Sequence, residues 1–187
     1  MLFRSDRTFA REKSFFGTGC VAHVSLVHPV CARLGDATEQ AARAQGINVH
    51  RGGTYLAMEG PQFSSVAESK LYRENWGCDV IGMTNMPEAK LAREAELCYC
   101  SVAMITDYDS WHTEHGAVDI STIIANLTGN ADHARGLMGR LPDYLSGERE
   151  PCRCGCDRAL EFAVMTVPGK RDAGLVAKLG AVAGRVL

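Results

Sequence analysis

The 187 residues carry 20 Lys and Arg against 22 Asp and Glu, a formal charge of −2, and 46% are hydrophobic. That balance suits a soluble chain with a sizeable core. It offers no basic block to track a phosphate backbone and no apolar run long enough to span a bilayer, so neither nucleic acid nor a membrane is an expected partner.

In chain order, residues 1–18 read as polar and irregular. The charged start, Met1 to Arg7, has no apolar h-region, so no secretory leader is expected and the cytoplasm is the expected compartment. Cys20 to His28 reads as a strand stopped by Pro29. Asp36-Ala37-Thr38-Glu39 has the spacing of a capping box and predicts the start of an alanine-rich helix that Gly46 can close. Ile47–His50 and Thr54–Met58 flank Arg51-Gly52-Gly53, the pattern of a hairpin with a glycine turn.

A loop, Glu59 to Phe63, comes next. Ser65-Val66-Ala67-Glu68 is a second capping box and predicts a helix up to Gly77. Cys78–Met83 and Cys98–Ile105 are short apolar runs typical of strands buried on both faces, with a helix opened by Pro87 between them. A loop with Trp111, His112 and His115 leads to a long helix from about Ser121 to Arg140. Residues 1–142 read as one domain portion, and residues 143–187 as a linker and helices packing on it. The alternation predicts an α/β fold with a central, largely parallel or mixed twisted sheet flanked by helices. In such sheets ligands bind beyond the carboxyl ends of the strands. That rule marks the loop after Met58, the Met83-Thr84 pair, and Thr106–Asp109.

The eight cysteines divide in two groups. Cys20, Cys31, Cys78, Cys98 and Cys100 lie in apolar runs and read as small buried hydrophobes. Cys152, Cys154 and Cys156 form a C-x-C-x-C cluster in the linker. A zinc site needs four ligands, and no paired cluster follows, so free thiols and no metal are expected.

Asp107 and Asp109 place two carboxylates two residues apart just past an apolar run, where an extended chain points both the same way. A turn or helix-capping role would use the same residues. The chemical alternative is a pair facing a nitrogen-rich ligand. In a dry pocket one carboxyl keeps its proton and donates to a ring nitrogen, while its neighbour accepts from an exocyclic amine. Adenine presents both groups on one edge.

Those residues sit within a larger match. Met58–Ser69 (MEGPQFSSVAES) and Gly77–Trp111, with its MT-MPE and TDYD blocks, resemble the methylthioadenosine phosphorylases of the trimeric purine nucleoside phosphorylases. The similarity extends from about Asp6 to about Leu141 and is dense over residues 52–111.

The resemblance implies a purine nucleoside and phosphate as substrates, a homotrimer, and no cofactor beyond phosphate as co-substrate. It implies Phe63 against the purine face, Met83 on the ribose and Thr84 at phosphate. Asp107 would serve the N7 edge as the catalytic group, and Asp109 the 6-amino group, with Thr106 also at the substrate. Ser64 and Ile120 would tune the pockets, and His23 would reach a neighbour's 5′-substituent. Relatives specific for 6-oxopurines usually carry Asn at the place of Asp107, so a 6-aminopurine is expected. The alternatives are a 6-oxopurine or methylthioinosine phosphorylase, and a non-catalytic nucleoside-binding or oligomerisation fragment.

Two departures qualify the match. Gly82 stands where the adenosine-type relatives commonly carry a side-chain amide. The family's N-terminal phosphate-gripping loop has no counterpart, so the expectation is a C-terminal portion of the fold that cannot phosphorolyse alone.

Overall fold

The structure, a computed structural model, describes residues 2–112, 120–145, 147 and 150–187; the side chains of residues 2–5 and 120 lie outside that description. Three parallel strands form its sheet: β1 (Leu2–Arg7), β2 (Thr54–Met58) and β3 (Val80–Gly82), in the order β1-β2-β3. Arg7 of β1 lies opposite Met58, and Ala57 lies opposite Gly82, so the carboxyl ends of all three strands come out together. The flanking helices are α1 (Ala32–Arg43), α2 (Val66–Lys70, prolonged by a π-helical turn over Leu71–Asn75), α3 (Glu88–Glu94), α4 (Ile120–Arg140) and α5 (Ala173–Ala183). No described helix is long and apolar enough to cross a membrane. The α/β class with a parallel sheet is as expected.

Several elements differ from the sequence reading. The polar stretch expected to be irregular contains β1. Backbone pairing to β2 fixes that strand, which no side-chain alternation announces. The expected hairpin does not form. Gly52 and Gly53 both take positive φ, 96° and 95°, but β2 already has parallel neighbours on both edges. The preceding Arg51 instead reaches back to α1, where it pairs with Asp36 at 2.6 Å and Glu39 at 3.4 Å. Because its carboxylate is engaged there, Asp36 caps nothing, and the N-cap of α1 is Cys31, five residues earlier. The helix does end as expected: Gly46 takes φ +71°, and the Ile47 N–H bonds the Ala42 carbonyl at 3.2 Å.

Neither Cys20–His28 nor Cys98–Ile105 is a sheet strand. The first meets residues 163–165 through one bridge, Ala22 to Val164, and flanking backbone bonds such as His23 N–H to the Ala163 carbonyl at 2.8 Å. The second has no ladder partner among the described residues, and Val102, Met104 and Ile105 are exposed rather than buried on both faces. Apolar runs supply the side chains of a strand, but a ladder also needs a neighbouring backbone.

The second capping box is as predicted. Ser65 Oγ accepts from the Glu68 N–H at 3.3 Å, and Glu68 accepts from the Ser65 N–H at 3.0 Å. Gly77 at φ +61° follows the π-helical turn. At the C-terminus, the Asp172 carboxylate caps α5 by accepting from the Leu175 N–H at 2.7 Å. Helix α5 lays Leu179 and Ala183 on Phe16, Cys20, Leu160 and Ala163. Each buried leucine there contributes about 1.5–3 kcal/mol.

Candidate active site

The loops that leave the carboxyl ends of the three strands are held by one side chain. Arg11 uses every N–H of its guanidinium: Nε to Glu59 Oε1 at 3.2 Å, Nη1 to the Met83 and Met86 carbonyls at 2.6 and 2.7 Å, and Nη2 to the Met58 and Glu59 carbonyls at 3.3 and 2.8 Å. A delocalised, always-charged fork suits this task, because it satisfies several carbonyls that have left their strands. Glu59 in turn accepts from the Phe9 N–H at 2.7 Å, and that bond, with Arg11, holds its carboxyl below the usual range.

Beside this clamp, Asp6 at the end of β1 pairs with Lys90 and Lys13. Burial alone would raise the Asp6 carboxyl. Lys90, Thr8 and Lys13 outweigh it and hold the group well below the carboxylate range.

Met83 lies in the second loop with its sulfur against Gly60, whose φ is +72°; a Cβ at residue 60 would sit 2.6 Å from Met83 Sδ. The loops after β2 and β3 therefore touch through side chain as well as through Arg11. Thr84 follows, exposed. Asn85 is buried at φ +69° and donates to Ser101 Oγ at 2.7 Å while accepting from the Tyr99 hydroxyl at 3.1 Å. Burial pushes that Tyr99 hydroxyl up to about 12. Asn85 thus joins the Met83-Thr84 loop to the segment that leads to Thr106.

Thr106 donates to Asp107 Oδ1 at 2.6 Å, and Asn126 and Asn130 of α4 donate to the Thr106 and Ile105 carbonyls at 2.7 and 2.9 Å. Asp107 is exposed and Asp109 half-buried. The segment returns to the first loop through Ser110 Oγ, which donates to the Ser64 carbonyl at 2.9 Å. The Trp111 N–H, which donates to the buried Ser69 Oγ at 3.2 Å, adds a second tie. Tyr108 stacks on His112 at 4.5 Å, and the Arg73 guanidinium lies 3.6 Å over Trp111.

The structure therefore brings Ser64, Met83, Thr84, Thr106, Asp107 and Asp109 onto one set of interlocked loops. Phe63 projects from the same set, 83% exposed. His23 is exposed and its backbone bonds to residue 163, not to these loops. Ile120 opens α4, but its side chain lies outside the described residues, and so does His115.

The residue at position 82 has a local explanation. A Cβ there would lie 2.0 Å from the Tyr55 hydroxyl, so the buried tyrosine on β2 occupies the space that a side chain would need. Sequence reasoning passed over Arg11, Asp6 and Asn85. Arg11 carries no local signal, since it is one arginine in a polar stretch. Asn85 could have been flagged as a residue type that tolerates left-handed backbone.

One part of the cysteine reading is corrected: Cys98, read as a small buried hydrophobe, is exposed. Cys152 Sγ lies 3.6 Å from Cys31 Sγ and 3.6 Å from Cys98 Sγ, so the linker cluster does meet a second pair of thiols. The second pair comes from the N-cap of α1 and from the stretch after α3, distant in sequence and invisible to a spacing rule.

Comparison with known proteins agrees with this architecture. The Phosphorylase superfamily profile matches residues 3–141. The S-methyl-5'-thioadenosine phosphorylase of Cereibacter sphaeroides is 70% identical over 182 residues, covering 97% of this chain and 62% of that protein. The enzyme of the same name from Rhodospirillum rubrum is 58% identical over the same span, again with 62% of its length covered. A methylthioadenosine phosphorylase from an Antarctic soil metagenomic library superposes with a TM-score of 0.88 at 38% identity, over 97% of this chain and 63% of that one. The chain thus spans a little over three-fifths of the length of these relatives. On profile, sequence and fold together, it belongs to the phosphorylase superfamily.

Proposed function

We propose that this chain carries the purine- and ribose-binding part of a phosphorylase that converts S-methyl-5'-thioadenosine and phosphate to adenine and 5-methylthioribose 1-phosphate. The observation that carries the reading is the interlocking of three loops at one end of the parallel sheet. Arg11 joins the loops after β2 and β3, Asn85 joins the second to residues 99–101, and Ser110 closes the ring at Ser64. The similarity to proteins named for that reaction supports it further.

On this reading Phe63 covers the purine face, Met83 packs on the ribose, and Thr84 donates to phosphate. Phosphorolysis breaks the N-glycosidic bond through a sugar with oxocarbenium character. A phosphate oxygen attacks the anomeric carbon, and the bonding pair leaves with the base nitrogen. Asp107 assists at N7 as that charge develops, a contribution of about 10²–10⁴-fold where such a group is well positioned. Asp109 accepts from the 6-amino group. Ser64 and Ile120 set the pocket walls. No metal or organic cofactor takes part in either step.

His23 is exposed on its own protomer, which fits a role in completing a neighbour's 5′-alkylthio pocket within a homotrimer. The cytoplasm is the compartment that matches eight cysteines outside any disulfide.

The experiment is adenine release from methylthioadenosine by the protein, with and without phosphate. For this chain by itself the expected result is saturable binding of methylthioadenosine without turnover, the phosphate-gripping loop of the family having no counterpart in it. Release that ignores phosphate would make the protein a hydrolase, robust phosphate-dependent release would show that its own residues hold the nucleophile, and failure to bind methylthioadenosine would remove the reading.

A further inference from the structure

Four thiols converge on the side of the molecule built by the N-terminus of α1 and the C-terminal segment. The Sγ atoms of Cys31, Cys98, Cys152 and Cys156 all lie within 4.8 Å of one another. Two of the distances, Cys31 to Cys152 and Cys98 to Cys152, are 3.6 Å. Four sulfurs at a Zn–S distance of about 2.3 Å stand at the corners of a tetrahedron with an edge of about 3.8 Å. A disulfide would bring two of them to about 2.05 Å. Two of the six sulfur–sulfur distances, at 3.6 Å, are close to that tetrahedral edge and far from a disulfide, and the others lie within 4.8 Å.

The local backbone brings the sulfurs together. Residues 152–156 form a tight turn, closed by the Gly155 N–H on the Cys152 carbonyl at 2.8 Å, with Gly155 at φ +66°, a left-handed conformation that glycine adopts without strain. Cys31 is the N-cap of α1, and its N–H donates to the Tyr99 carbonyl at 2.8 Å, which brings it beside the stretch that carries Cys98. Cys31, Cys152 and Cys156 are buried, whereas Cys98 is exposed and provides an entry path.

We propose that Cys31, Cys98, Cys152 and Cys156 bind one structural zinc ion. All four positions are filled by protein, which leaves no open site for catalysis. The ion ties the start of α1, the stretch after α3 and the C-terminal segment at one point, and this holds whatever nucleoside the sheet end accepts. Each ligand thiol gives up one proton on binding, and no electron is transferred. Cys154, in the same turn, stays outside the set and is the natural control.

The test is metal analysis of the protein purified under reductant and without chelator, followed by exchange for cobalt(II). The expected result is stoichiometric zinc and, after exchange, the intense sulfur-to-cobalt absorption of a tetrahedral four-thiolate site. Cys152→Ser and Cys98→Ser should lose that zinc, whereas Cys154→Ser should keep it. If the serine variants fail to fold, the wild-type zinc content and cobalt spectrum decide by themselves. Four free thiols with no zinc and no cobalt–thiolate band would overturn the proposal. Disulfides among the four cysteines, or stoichiometric iron in place of zinc, would overturn it equally.

Discussion

The Met83–Asn85 loop and the Thr106–Asp109 segment belong to one candidate site, yet they are held in different ways. The first is fastened from inside. Arg11 satisfies the Met83 carbonyl and that of Met86 just beyond it, Asn85 is buried with both ends of its amide engaged, and Met83 rests on Gly60. The second is fastened from outside, by two asparagines of α4 on its carbonyls and by Ser110 on Ser64, with Asp107 exposed. A charged fork saturated by carbonyls is costly to disturb, whereas exposed neutral hydrogen bonds contribute about 1 kcal/mol each. The part read as holding ribose and phosphate is therefore rigid, and the part read as reading the base is the more readily altered.

Removing the clamp should sharpen that contrast most. Arg11→Ala strands carbonyls of both loops, and should cost about 3 kcal/mol, the upper end for hydrogen bonds to a charged group. Chemical denaturation measures it. A loss below about 1 kcal/mol, the size of a surface pair, would mean that the loops hold themselves.

Next in size is position 82. Gly82→Ala places a methyl against the Tyr55 hydroxyl and should destabilise by about 1–3 kcal/mol, as overpacking does. The double variant Tyr55→Phe with Gly82→Ala removes the hydroxyl and should recover most of that loss. If the double variant is no more stable than the single, the Tyr55 contact is not what keeps residue 82 a glycine.

At the outer segment the effect should fall on selectivity. Asp107→Asn should shift preference from 6-amino toward 6-oxo nucleosides by about 1–3 kcal/mol, the size of one mispaired buried polar group. Stability should hardly move, because Asp107 is exposed. Competition between methylthioadenosine and methylthioinosine reads the shift, and an unchanged ratio would take Asp107 off the base edge. Smaller again, Asn126→Ala should cost about 0.5–1.5 kcal/mol through one lost hydrogen bond.

Acid should find the inner clamp as well. The Asp6 carboxyl is depressed in the folded chain, so its stabilisation is complete above the unfolded carboxylate value. It is lost as pH falls from about 4 downward. Asp6→Asn should flatten that part of the stability–pH curve, and a curve unchanged from the native protein would contradict the pairing with Lys90 and Lys13.

What could be read in the sequence follows the same division between local and distant causes. The box at Ser65 and Glu68, the end of α1 at Gly46, and α4 starting within a residue of the expected Ser121 are decided by neighbours in the chain. The Met83-Thr84 loop follows from the strand-end rule together with the resemblance, whereas Thr106–Asp109 follows no sheet strand among the described residues and is marked by the resemblance alone. β1 was missed, and Cys20–His28 and Cys98–Ile105 were over-read, because strand formation depends on a partner backbone that no local window contains. The start of α1 was misplaced for a related reason. Asp36 looks like a cap until Arg51, fifteen residues on, takes its carboxylate. Arg11 and the four thiols are the extreme case, since every partner lies far away in sequence.

The central claim is that the interlocked loops form an adenine-selective nucleoside site, and equilibrium titration tests it most directly. Methylthioadenosine and methylthioinosine would each be titrated into the protein by calorimetry, with adenine and hypoxanthine as competitors. The account predicts saturable binding of methylthioadenosine, tighter than methylthioinosine by at least about tenfold, or 1.4 kcal/mol, and displaced by adenine in preference to hypoxanthine. Equal affinity for the two nucleosides, or binding that Arg11→Ala and Asp107→Asn both leave untouched, would contradict it.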